Sequence, residues 1–183
     1  MSAIVVNDEI VHYEVLGRGP GILFIHGWLG SWRYWVPTMQ SLSTRYRTYA
    51  IDLWGYGDSG KRPINYTIEA QMKLIERFLD QLGVTKMAIV GHGLGGVVSL
   101  RFAAQHPEMV ARLMTIATPL NGAAINPRLR NDAVASLLDW LLSKGPDTES
   151  ITAEAKKSDP NVIAISVEDM ATMDFTVGLG LLT

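Results

Sequence analysis

The sequence predicts an α/β fold, a mostly parallel sheet with flanking helices, and three observations carry that expectation. Apolar runs rich in branched residues, such as Gly21-Ile22-Leu23-Phe24-Ile25 and Met87-Ala88-Ile89-Val90, are continuous rather than alternating. That suits strands buried on both faces, as in a parallel sheet. These runs alternate along the chain with stretches whose apolar residues recur at helical spacing. Finally, the run at residues 87–90 breaks into Gly91-His92-Gly93-Leu94-Gly95-Gly96 and resumes as an apolar helix, the pattern of a buried strand turning sharply into a helix. With 183 residues, 48% of them hydrophobic, a single core is expected.

The elements follow in order. Residues 4–6 and 10–15 flank the polar Asn7-Asp8-Glu9, which predicts an antiparallel hairpin. After the loop Gly17-Arg18-Gly19-Pro20 comes the strand 21–25, running into His26-Gly27-Trp28-Leu29-Gly30. Ser31 can cap a helix through Trp35 to about Leu42, with residues 46–52 as the next strand. The loop from Asp52 to Gly60 is closed by Pro63, and Thr67 caps a helix in which Met72, Leu74, Ile75, Phe78, Leu79 and Leu82 form the apolar stripe before Gly83. Ala70 holds the third helical position, so no reciprocal Glu completes a capping box. A helix from Leu94 through Gln105 ends at His106-Pro107, because proline disfavours helix in the residue before it, and residues 110–119 form the next strand and its exit loop. From Asn126 the texture becomes helical, with a break at Gly145-Pro146-Asp147 and a second helical stretch over residues 162–173.

Three motifs carry chemistry. Gly91-x-Gly93-x-Gly95 has the spacing of a nucleophile elbow, His26-Gly27-x-x-Gly30 follows an earlier strand, and Asp52-Leu53-Trp54-Gly55-Tyr56-Gly57-Asp58-Ser59-Gly60 follows a third. Together they resemble the α/β-hydrolase family, from the N-terminus through the strand at 110–117. The resemblance implies a hydrolase core over residues 1–124 and the start of a helical cap over 125–183. It also implies ester-hydrolase ancestry, with Gly93 at the nucleophile position where the side chain is absent. Carried over residue by residue, the oxyanion-hole donors are the backbone N–H groups of Trp28 and Leu94. In a full-length relative, further strands and loops bearing the acid and the histidine follow. The sheet here is therefore expected to lack its last strands and to leave 110–117 as an edge.

Other candidates each have a plain alternative. Trp28, His92 and Trp140 are the candidate ligand-binding side chains, with Trp140 and Met170 as a roof or as ordinary packing. His26 either braces its loop or takes part in catalysis; Ser59 is a displaced nucleophile or a loop residue. The four histidines show no i, i+4 or HxH pairing and there is no cysteine, so neither a metal site nor a cofactor is expected. A net charge of −2 and pI near 6.1 argue against nucleic acid and a membrane surface. No apolar run reaches the roughly 18 residues of a span, and a cytoplasmic location is expected.

The first functional reading is a hydrolase-fold protein that is catalytically impaired and binds a small apolar carbonyl compound. The second is an active ester hydrolase whose remaining catalytic residues lie beyond Thr183 or on a second chain. The third is an interaction module using the open sheet edge, with a homo-oligomer or a complementary fragment as partner.

Overall fold

The computed structural model describes residues 2–141 and 148–176. The expected break at Gly145-Pro146-Asp147 and the final segment 177–183 lie outside the described residues.

The chain opens with β1 (Ser2–Val6) and β2 (Glu9–Leu16), an antiparallel hairpin in which Val6 pairs with Glu9. Its two turn residues, Asn7 and Asp8, have φ of 50° and 61°, the left-handed pair of a type I′ turn that matches strand twist. Four parallel strands follow: β3 (Gly21–Ile25), β4 (Arg47–Ile51), β5 (Met87–His92) and β6 (Val110–Ile116). The six lie in the order β1-β2-β4-β3-β5-β6, with the hairpin joined antiparallel to β4.

Alternation along β3 sorts the core into two layers. Leu23 and Ile25 face α2 (Ile68–Gln81) and α3 (Leu94–Gln105), where they pack with Ile75, Phe78, Val97 and Val98. Phe24 points the other way, to Trp35, Met39 and Ala50 under α1 (Val36–Leu42). The helix expected from Ser31 to Leu42 is split: Ser31 Oγ accepts from Arg33 N and caps a 3₁₀ turn over Trp32–Trp35, and α1 starts afresh after it. Pro37 explains the break, because it has no N–H to return to the carbonyl of Arg33. Thr67 caps α2 as expected, its Oγ1 accepting from Ala70 N at 3.2 Å.

After β6 come α4 (Arg128–Asn131), α5 (Val134–Leu141), α6 (Thr148–Ala155) and α7 (Val162–Met170). α7 ends at Met170 rather than Met173. Its Val162, Ile163, Val167 and Met170 join the same buried cluster as the sheet. Met170 is wholly buried, so it is packing and not a roof; its position on the inward stripe of α7 takes it away from the cleft described below. Among the described residues β6 is the sheet edge, with Met114 58% exposed. The segment after α7 returns to pair with Leu120 and Gly122, beyond the end of β6, and leaves that edge open.

Candidate functional site

The turn from β5 into α3 is built on glycines with unequal duties. A Cβ on Gly91 would stand 2.4 Å from the carbonyl oxygen of Gly95, and one on Gly95 would stand 2.4 Å from that of Ile25 and 2.5 Å from that of His26. Backbone cannot give way to such contacts, so both positions require glycine. Gly93 differs. Its φ of 51° and ψ of −113° strain any residue with a Cβ, yet the nearest atom to an added Cβ is Trp28 Cε3 at 3.5 Å, an ordinary contact. The middle of the turn has room for a side chain and carries none. Its N–H is anchored on Ile116 O at 2.9 Å.

The loop after β3 faces this turn. His26 is wholly buried; its Nδ1–H donates to Gly27 O at 2.9 Å and its Nε2 accepts from Leu53 N at 3.0 Å. Burial holds its pKa below the usual value, so it is a neutral brace between two loops. Trp28 sits at the tip, its indole N–H donating to Ser166 Oγ on α7 at 3.0 Å. Among the described residues, no acceptor takes the backbone N–H of Trp28 or of Leu94.

The structure brings four of the predicted positions to one cleft of about 440 Å³, where Trp28, His92, Gly93 and Trp140 are joined by Thr118 and Leu129. A neighbouring space of about 540 Å³ shares Trp28 and His92 and extends past Tyr34, Leu138 and Ile151. The side chain of Leu94 is buried, so that residue bears on the site through its backbone alone. Trp140 is 39% exposed at the rim, with the Arg128 guanidinium 4.9 Å over its ring. Tyr34, which lines the neighbouring space, is not among the candidates that the sequence points to. Here its hydroxyl accepts from Gly27 N at 2.7 Å and lies 3.3 Å from His92 Nδ1.

The fold also gathers His12, Asp52 and Asp58, whose ligand atoms lie within 4.8 Å of one another, a grouping that sequence spacing does not reveal. These groups are already partnered. Asp52 accepts from Trp32 N at 2.8 Å, Asp58 N at 3.1 Å and His12 Nδ1 at 3.1 Å, while Lys157 Nζ lies 3.2 Å from both Asp58 oxygens. Ser59 donates to Asp52 O at 2.7 Å and accepts from His12 N at 3.0 Å, fully buried inside its loop. The cluster ties loops together, and Ser59 is a loop residue with no access to the cleft.

The sequence profile of the α/β hydrolase fold matches residues 20–147. The chain belongs to the α/β-hydrolase fold family. Among hydrolases of this family with curated descriptions, Bifunctional epoxide hydrolase 2 of Rattus norvegicus is 35% identical over 116 residues, which are 60% of this chain and 20% of that protein. Epoxide hydrolase 4 of Homo sapiens is 36% identical over 113 residues, 59% of this chain and 31% of that protein. The chain thus spans between a fifth and a third of the length of these relatives. Among solved hydrolase folds, a hydrolase from Pseudomonas aeruginosa PA01 superimposes with a TM-score of 0.86 at 20% identity, covering 100% of this chain and 76% of that one. An N-acyl homoserine lactonase mutant with serine replaced by glycine, complexed with N-hexanoyl homoserine lactone, gives a TM-score of 0.77 at 20% identity over 93% of this chain and 69% of that one.

Proposed function

We propose that this hydrolase-fold protein binds small, largely apolar molecules bearing a carbonyl oxygen, esters or lactones, and leaves them intact. One observation supports the reading: the strand-to-helix turn has close glycine packing at Gly91 and Gly95 and a positive φ at Gly93, as a nucleophile elbow would need, with space at Gly93 and no side chain to fill it. Acyl transfer in this fold needs a hydroxyl to attack, an imidazole to take its proton and a carboxylate to orient that imidazole. Ser59 and His26 are each committed to backbone partners. The oxyanion-hole pair, Trp28 N–H and Leu94 N–H, consists of backbone donors that need no catalytic side chain, and the apolar walls of the cleft supply the remaining affinity. The lactonase mutant is a precedent for such a fold holding its lactone with glycine in place of a serine.

The test is a titration of tryptophan fluorescence with a short-chain aryl ester, with recovery of the ester followed in the same sample. Saturable quenching with the ester recovered is expected. No saturable signal would remove the binding reading. The second reading, an ester or epoxide hydrolase completed by residues outside those described or by another chain, is favoured by the limited share of its relatives that the chain spans. It requires turnover.

A further inference from the structure

Beside Gly93, Tyr34 and His92 form a pair whose protons are placed by the loop around them. Gly27 N–H donates to Tyr34 Oη at 2.7 Å, so that oxygen is an acceptor with one proton of its own to place. The other polar atom within reach of it, among the described residues, is His92 Nδ1 at 3.3 Å, with the two rings edge to face at 89°. The same edge of the imidazole is pressed on the loop: a Cβ on Gly27 would lie 2.7 Å from Nδ1 and 3.3 Å from Cε1. Burial keeps both groups neutral, raising the Tyr34 phenol far above its usual value and lowering His92. A neutral imidazole that accepts at Nδ1 carries its proton on Nε2. His92 is half-buried and its ring lines both cleft spaces, and with no partner for Nε2 among the described residues that nitrogen is left for a ligand.

We infer that His92 offers an Nε2–H donor to a bound molecule and that Tyr34 is the positioning residue that sets this tautomer, so that the cleft selects ligands with acceptor oxygens through three donors rather than two. The inference rests on the ligand reading above and adds the side chains that enforce it. Leaving a donor without its acceptor in such a cleft separates ligands sharply.

Two measurements test it. Long-range ¹H–¹⁵N spectra of the free protein should show His92 protonated at Nε2, and the Nδ1–H tautomer would overturn the inference without touching the ligand reading. Binding of a δ-lactone and of the matching ring with a methylene in place of the carbonyl should favour the lactone. In Tyr34→Phe and His92→Leu that preference should fall by about 3- to 10-fold, the worth of one hydrogen bond. In His92→Gln, whose amide N–H reaches the place of Nε2–H, it should be largely kept. An unchanged preference in His92→Leu overturns the inference alone. A wild-type protein that binds neither compound overturns it together with the ligand reading.

Discussion

The indole N–H of Trp28 donates to Ser166 Oγ at 3.0 Å, closing a contact between residues 138 positions apart. It fixes the wall of the cleft to α7, and two ion pairs join core loops to the end of α6 and the residues after it: Arg33 Nε to Glu154 at 2.9 Å, and Lys157 Nζ to Asp58 at 3.2 Å. Ser166 is fully buried and itself donates to Ile163 O at 2.9 Å. Ser166→Ala leaves the indole N–H without its acceptor. The expected cost is about 1–3 kcal/mol, read as a lower urea midpoint at unchanged m-value, together with weaker quenching by ligand.

The glycine turn makes an unusual stability order. Within a helix, Gly→Ala ordinarily stabilises by about 1 kcal/mol. At Gly95, in the first turn of α3, the added methyl meets two carbonyl oxygens within 2.5 Å. At Gly93 it meets only the edge of Trp28, and the penalty is the positive φ, about 1–3 kcal/mol. Gly95→Ala is therefore expected to melt below Gly93→Ala, and Gly93→Ala below wild type. The reverse order of the two variants in calorimetry would contradict the packing described for the turn.

His12 links stability to pH. Burial opposes its charging, but the hydrogen bond and charge of Asp52, with Glu14 and Asp58, outweigh burial and raise its pKa. A histidine whose folded pKa is raised stabilises fully below its unfolded value of about 6.5, and that contribution is lost as pH rises through the folded value. His26 works oppositely: its folded pKa is lowered by burial, so it costs stability as pH falls below about 6.5. The loss caused by His12→Gln should thus be larger at pH 6 than at pH 9 in urea titrations. Equal losses would show that the imidazolium contributes nothing.

The open edge at β6 has its own signature. In a parallel pair, alternate backbone N–H groups of an edge strand point outward. Hydrogen exchange of the isolated chain should show alternating protection over Leu113, Met114, Thr115 and Ile116. Uniform slow exchange that disappears on dilution would instead show a second copy pairing there.

Local pattern made much of this legible. The Asn7-Asp8 turn, the caps at Ser31 and Thr67 and the glycine turn at 91–95 depend on neighbours in sequence, and the structure places them where the spacing does. Contacts that depend on how strands are ordered were not legible. His12 meets Asp52 because β2 lies beside β4, and Tyr34 meets His92 because the loop after β3 folds over the end of β5. Met170 misled for a related reason: an apolar stripe shows that a helix buries one face, but not whether that face meets the core or a cleft. Pro37 was a visible signal for the split before α1, one that periodicity alone overrode.

The central claim is that Gly93 leaves a binding cleft without a nucleophile, and pre-steady-state mixing with an aryl ester tests it most directly. Wild type should release no burst of phenol and acquire no acyl mass. Gly93→Ser should do little better, because His92 turns Nδ1 to Tyr34 and presents Nε2–H, and His26 is held by backbone partners, so neither is placed to take the serine proton. A burst approaching one equivalent from the wild-type protein, with the acyl group found on any residue, would contradict the account.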